Sequence, residues 1–256
     1  MKLCTSTTRP KSPNIGDAFL ETDTEFIIIW NGLVWLEIDK TSESFSNTLS
    51  TSFNGTNNYA TISSTFNALS GNKSICGWFY FGSAHAVTIF GKVGASSFSD
   101  EGWMVLNPAS VRFRAGSTRH IFTVPNISLA TWHHLAVTGD GTDLKLYING
   151  VQQGGNKADG DWSIGEFFRT QNHYYFNGNA DEIALWTGTT LSASDVSAIA
   201  NAGAPSGDKA IDLSTYAGLT HWWRMGDGDT SPTVSDNVGS NDMTLLNGPT
   251  FVSQVP

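Results

Sequence analysis

Between Glu166 and Trp186 the chain reads EFFRTQNHYYFNGNADEIALW, and two chemistries could use such a stretch. Adjacent carboxylates, Asp181 and Glu182, bring to mind the acid and nucleophile of a retaining glycoside hydrolase, which lie about 5 Å apart. The aromatic residues before them could instead hold a sugar without reacting, ring faces against C–H surfaces and polar groups on hydroxyls. Neighbouring residues of a β-strand point to opposite faces. Asp181, Ile183 and Leu185 are therefore expected on one face and Glu182, Ala184 and Trp186 on the other, which separates the two carboxylates. Asn177-Gly178 has the composition of a turn leading into that strand.

Other catalytic arrangements are missing from the sequence. His133 and His134 are consecutive, whereas a helical zinc pair is spaced i, i+4. No Gly-x-Ser-x-Gly elbow places a serine for attack, and no glycine-rich phosphate loop is present. The expectation is a protein that is not an enzyme.

The elements that must position these residues are short. Aromatic residues form 12% of the 256 residues and charged residues 14%, enough apolar material for a folded core. A net charge of −9 argues against nucleic acid as a partner, and FIIIW, the longest aliphatic run, is too short to insert in a membrane. The start, MKLCTSTTRPKSP, turns polar at once and lacks the apolar run of a signal peptide. Cys4 and Cys76 form neither a disulfide framework nor a zinc site, and Cys76, within ICGWFYF, reads as a buried thiol.

Two regions differ in texture. Residues 1–41 hold FIIIW and LVWLEID joined by Asn31-Gly32, a hairpin signal. A lone hairpin is marginal in water, so Ile27, Ile29, Trp30, Val34 and Trp35 need cover. This region is expected to be a docking and assembly module with Trp30 and Trp35 at its interface. Residues 42–256 repeat short β-rich runs between Gly, Asn and Asp clusters, the pattern of a sandwich or jelly roll. In LKLYINGV, Leu144, Leu146 and Ile148 alternate toward one face. Asp140-Gly141 and Asn149-Gly150 mark tight hairpins, and LSASDVSAIANAG reads as a short helix with Ser192 as cap and Gly203 as stop.

Taken in order, FNGTNNYATI, SICGWFYF, TWHHLAVTGDGTDLKLYINGV, FNGNADEIALW, LSASDVSAIANAG and LTHWWRMGDG resemble the laminin G-like members of the concanavalin A-like lectin/glucanase superfamily. That resemblance covers nearly all of residues 42–256. It implies an all-β fold, two antiparallel sheets packed as a jelly-roll sandwich. Glucanases of the superfamily carry two glutamates and an aspartate on one strand; no Glu-x-Asp-x-x-Glu spacing occurs here. Many relatives hold a structural Ca²⁺, which carried over would use Asp181 and the Asn54–Asn58 turn, Asn57 above all. The same residues also suit a turn and backbone hydrogen bonds. Glycan binding is the commonest implication, and the best surface for it is EFFRTQNHYY, Glu166 to Tyr175, with Trp162 just before it; Trp162, Arg169, Asn172, His173 and Tyr174 are its candidate contacts. Phe167, Phe168 and Tyr175 beside them equally suit an inter-sheet core or a subunit interface.

The leader, RPKSPNIGDAFLETDT followed by WNGLVWLEI, is similar to short modules of bacteriophage tail and fibre proteins. The combined expectation is a virion structural protein, a head fibre, decoration or tail appendage subunit. It would be joined to other virion proteins through residues 1–41, homo-oligomeric, and adhesive to host-surface polysaccharide. The alternatives are a bacterial carbohydrate-binding lectin-like module and a divergent glycoside hydrolase.

Overall fold

The computed structural model describes residues 2–22, 26–39, 45–83, 86–93, 101–170, 174–201 and 210–256. The chain forms two compact units, Met1–Ser46 and Asn47–Pro256.

The first unit is a four-stranded sheet in sequence order: β1 (Lys2–Cys4), β2 (Ala18–Glu21), β3 (Phe26–Trp30) and β4 (Trp35–Asp39). Only β1 and β2 run parallel. Trp30 pairs with Trp35, so the hairpin loop has four residues, Asn31 to Val34, rather than two. Asn31 closes it by accepting the Leu33 and Val34 amides at its side-chain oxygen. Among the described side chains of β3, Ile28 is buried and Ile27 and Ile29 are half-buried, while Val34 is exposed in the loop. Glu21 is buried and held by Arg9.

The second unit is the sandwich that the alternating runs led us to expect. In chain order its strands are β5 (Ser50–Asn54), β6 (Tyr59–Leu69), β7 (Asn72–Phe81), β8 (Val87–Gly91), β9 (Glu101–Asn107), β10 (Ser110–Ala115) and β11 (Thr118–Thr123). There follow β12 (Trp132–Asp140), β13 (Asp143–Ile148), β14 (Val151–Ala158), β15 (Trp162–Phe167) and β16 (Asn177–Thr187). After helix α1 (Ala193–Asn201) come β17 (His221–Trp223), β18 (Thr233–Val234), β19 (Met243–Leu246) and β20 (Thr250–Val252). Sheet I has the order β11-β10-β9-β8-β15-β6-β19-β18 and sheet II the order β14-β13-β12-β7-β16-β5-β20, with β17 also on β16. All these pairings are antiparallel.

The inward sets of the two sheets meet in one apolar cluster. Leu144, Leu146 and Ile148 join Leu135, Val137, Phe79, Trp103, Phe113 and Trp162 there. Asn149 and Gly150 both have positive φ, which makes the β13–β14 connection the turn that Asn-Gly favours. Ser192 and Asp195 cap α1 reciprocally, the serine oxygen on the Asp195 amide and the carboxylate on the Ser192 amide. Gly203 lies outside the described residues. Cys76 is buried on the outer face of sheet II, and burial pushes its thiol well above the usual range. Among the described residues no helix is long and apolar enough to cross a membrane.

Candidate functional site

On sheet I, β15 carries Trp162, Ile164 and Phe167 into the core, and Phe168, just past the strand at φ 70°, follows them inward. Glu166 points the other way, since it pairs with Thr61 between the core residues Ala60 and Ile62 of β6. Just past the strand, Arg169 turns back over this outer face. Its Nε donates to Glu166 Oε2 at 2.8 Å and its Nη2 to Oε1 at 2.9 Å, a two-point clamp. The guanidinium carbon lies 3.4 Å from the Tyr59 ring centroid. A hydrogen bond also links Arg169 with Tyr175. Tyr59, Arg169, Tyr174 and Tyr175 are half-buried, each with one side open. The segment is anchored at both ends: Phe176 N donates to Phe168 O, and Thr88 N to Tyr174 O. The arrangement brings tyrosine rings and a guanidinium held by a carboxylate together at the surface.

The Asp181–Glu182 pair differs from the sequence expectation. Asn177 and Gly178 are not a turn but the first residues of β16, where Gly178 passes so close to Tyr80 that a Cβ would lie 1.8 Å from its carbonyl oxygen. Further along, Asp181 pairs with Trp78 but Ala184 with Cys76, so β16 spends one extra residue in a bulge. Glu182 is that residue, at φ 48°. Alternation breaks there. Ala180, Ile183 and Leu185 enter the core while Asp181 and Glu182 both lie on the outer side of sheet II. The two are buried, at 0% and 2% exposure. Asn47 Nδ2 donates to Asp181 Oδ2 at 2.9 Å. Trp222 Nε1 and Arg224 Nε donate to Glu182 at 2.5 and 3.3 Å. Burial, then the neighbouring Glu182 charge, raises the Asp181 carboxyl well above its usual range. Burial also pushes Glu182 up to about 8, against the opposing pull of Arg224. Both carboxyls lie closed off from solvent.

A profile of the laminin G-like family, described as the Concanavalin A-like lectin/glucanases superfamily, matches residues 54–197. The chain belongs to this superfamily. Solved structures agree at the level of fold. A Bacteroides ovatus protein with a proposed carbohydrate-binding role superposes with TM-score 0.60 at 14% identity, over 94% of this chain and 70% of its own. A heptameric SAP-like pentraxin from Limulus polyphemus gives 0.56 at 14% identity, over 81% and 96%. No curated protein matches the sequence.

Within this lectin/glucanase fold the remaining candidates fall as follows. Trp162 is not a stacking platform: it is fully buried in the inter-sheet core, its Nε1 donates to Asp159 and the Lys73 ammonium sits 4.9 Å from its ring. Phe167 and Phe168 are also core, while Asn172 and His173 lie outside the described residues. Asn57 accepts from Asn54 Nδ2 at 2.9 Å within the β5–β6 turn. Asn54 pairs with Asn177, four residues from Asp181, so Asn57 and Asp181 are separated by roughly 13 Å of strand. Calcium takes six to eight oxygens at one locus, and these two residues do not share one. Among the described residues, no cluster of three or more His, Cys, Asp or Glu side chains could hold a metal.

One alternating Glu-x-Asp-x-Glu does occur, at Glu21, Asp23 and Glu25. Glu21 belongs to the first unit and is tied to Arg9, while Asp23 and Glu25 lie outside the described residues. In the same unit Trp30 and Trp35 pack on each other at 5.4 Å, with Phe19 edge-on to Trp35. Glu166 lies within the stretch EFFRTQNHYY that sequence reasoning singles out, three residues from Arg169, whereas Tyr59 was missed. Its signal is faint, because a partner of Arg169 more than a hundred positions away becomes visible only through sheet register.

Proposed function

We propose that this chain is a non-catalytic, lectin-like module that binds saccharide on the outer face of sheet I, around Tyr59, Glu166, Arg169 and Tyr175. The observation that carries the reading is the Arg169 guanidinium fixed by two bonds to Glu166 and laid over Tyr59. Such a site is already organised before a ligand arrives, so little side-chain freedom is lost on binding. The fold relative described as carbohydrate-binding supports the same class of ligand. The buried Asp181–Glu182 pair argues for binding over hydrolysis, because a substrate has no route to carboxylates that are closed off. Calcium has no part in the proposal. A glycan array read beside a reducing-sugar assay tests it: retention without sugar release is expected, and release would replace the module with a hydrolase.

A second reading, a virion subunit that displays this module on a particle, is favoured by one feature. Leu3, Ile15, Leu33, Val34 and Leu36 are exposed large apolar side chains within the short first unit. That unit buries little beyond Phe19, Ile28 and Glu21 among its described residues, and folds of this size commonly need a partner. Self-assembly through this unit is the corresponding expectation.

A further inference from the structure

Arginine is scarce in this acidic chain, and its distribution is uneven. Of six arginines, at positions 9, 112, 114, 119, 169 and 224, three fall within SVRFRAGSTRH. The fold gathers those three. Val111, Phe113 and Ala115 of β10 face the core, which turns Arg112 and Arg114 to the outer face of sheet I. In the β10–β11 hairpin Arg114 pairs with Arg119 and Arg112 with Ile121. Directly opposed residues have Cβ atoms about 5 Å apart, and like charges in that relation destabilise a sheet. Arg119 is exposed, Arg114 half-buried, and Ile121 is 57% exposed beside them. Arg112 Nη2 donates across to Met104 Sδ on β9, its register partner, at 3.0 Å. Among the described residues neither Arg114 nor Arg119 belongs to an ion pair, whereas Arg9, Arg169 and Arg224 each do.

We propose that the outer face of the β10–β11 hairpin, with Arg112, Arg114 and Arg119, is an anion subsite that selects acidic saccharide, a chain bearing sulfate or carboxylate groups. The inference rests on the lectin reading and adds the charge class of the ligand. Two opposed guanidinium groups cost stability in the free protein and are relieved when an oxyanion bridges them, since each offers a planar fork to such a group. In a protein of net charge −9 this is a local attraction set in a repelling field, which favours a ligand that docks at this face. The hairpin shares its sheet face with the Arg169 surface. β10 and β15 are three strands apart, about 14 Å. Thr88 and Met104, which lie between the two on this face, are buried, so a saccharide that joins them passes over the residues covering that stretch. Nucleic acid would need basic coverage along its backbone, which the rest of the surface does not supply.

The test is binding of the full chain to dextran sulfate, polygalacturonate, neutral dextran and a single-stranded oligonucleotide, at low and physiological ionic strength. The wild type is expected to prefer one or both acidic polysaccharides, dextran sulfate alone marking sulfate as the ligand group and polygalacturonate alone marking carboxylate. Arg114→Ser with Arg119→Ser is expected to weaken that binding about tenfold or more. Its melting temperature should hold or rise, because a like-charge pair is removed. Lys11→Ser with Lys145→Ser removes equal charge from residues outside the β10–β11 hairpin and should leave affinity unchanged. Equal losses in the two double variants would overturn the subsite. Binding of neutral saccharides with no preference for acidic ones would overturn the subsite and leave the lectin reading intact, whereas failure to bind any saccharide would remove both. Tighter binding of the oligonucleotide than of either polysaccharide would overturn the saccharide assignment.

Discussion

At the scale of single residues, the buried groups of sheet II set the pH response. Glu182 is raised to about 8 and Asp181 is raised well above 3.8, both chiefly by burial, so the folded state holds protons that the unfolded chain releases above about pH 4.5. Their contribution to stability therefore falls as pH rises toward 8. His134 works in the opposite sense over a lower window: burial lowers it to about 3, the unfolded chain takes up its proton below 6.5, and stability rises with pH between those values. The two trends oppose each other up to about pH 6.5, and above it only the carboxylates act. The melting temperature is expected to fall from pH 6.5 to 8, and Asp181→Asn should flatten that fall. Calorimetry across this range checks it, and a rise in the wild type would refute the sign. Local sequence pattern does not reach this behaviour. Local alternation places Asp181 and Glu182 on opposite faces, and only the bulge at Glu182, set by pairing with β7, brings them to one side.

Among the elements, β16 shows which features a sequence exposes and which it hides. Its apolar alternation over Ile183 and Leu185 is legible and correct. Asn177-Gly178, however, has turn composition for a different reason: the glycine is there because Tyr80 O crosses where a side chain would be. Gly178→Ala is accordingly expected to destabilise the second unit by about 3 kcal/mol or more, read by denaturant unfolding. An alanine tolerated at no measurable cost would mean that β7 and β16 are spaced more widely than described. Hairpin turns were more legible, since Asn149-Gly150 meets a purely local demand for positive φ. Substituting Gly150 by Ala should cost only about 1 kcal/mol, a contrast with Gly178 that the same measurement resolves.

For the whole molecule, the sandwich was readable because two-residue periodicity and turn chemistry agree along most of residues 47–256. The candidate site was readable only in part. Arg169 and the tyrosines beside it stand out in EFFRTQNHYY, but Trp162 looked equally aromatic and exposed while being the centre of the core. Large aromatic residues serve both purposes, and composition does not separate them. The first unit, with its exposed apolar side chains, is expected to mediate self-association: removing residues 1–46 should lower the number of chains per particle given by light scattering, while far-ultraviolet circular dichroism retains the sandwich. An unchanged number of chains per particle would place any assembly surface on the second unit.

The most direct test of the central claim is titration of the full chain, and of Tyr59→Ala and Arg169→Ala, with a saccharide drawn from the glycan array, with released reducing ends assayed in the same samples. The account predicts binding by the wild type, about tenfold or greater weakening in each variant, and no release of reducing sugar. Undiminished affinity in both variants, or hydrolysis by the wild type, would contradict it.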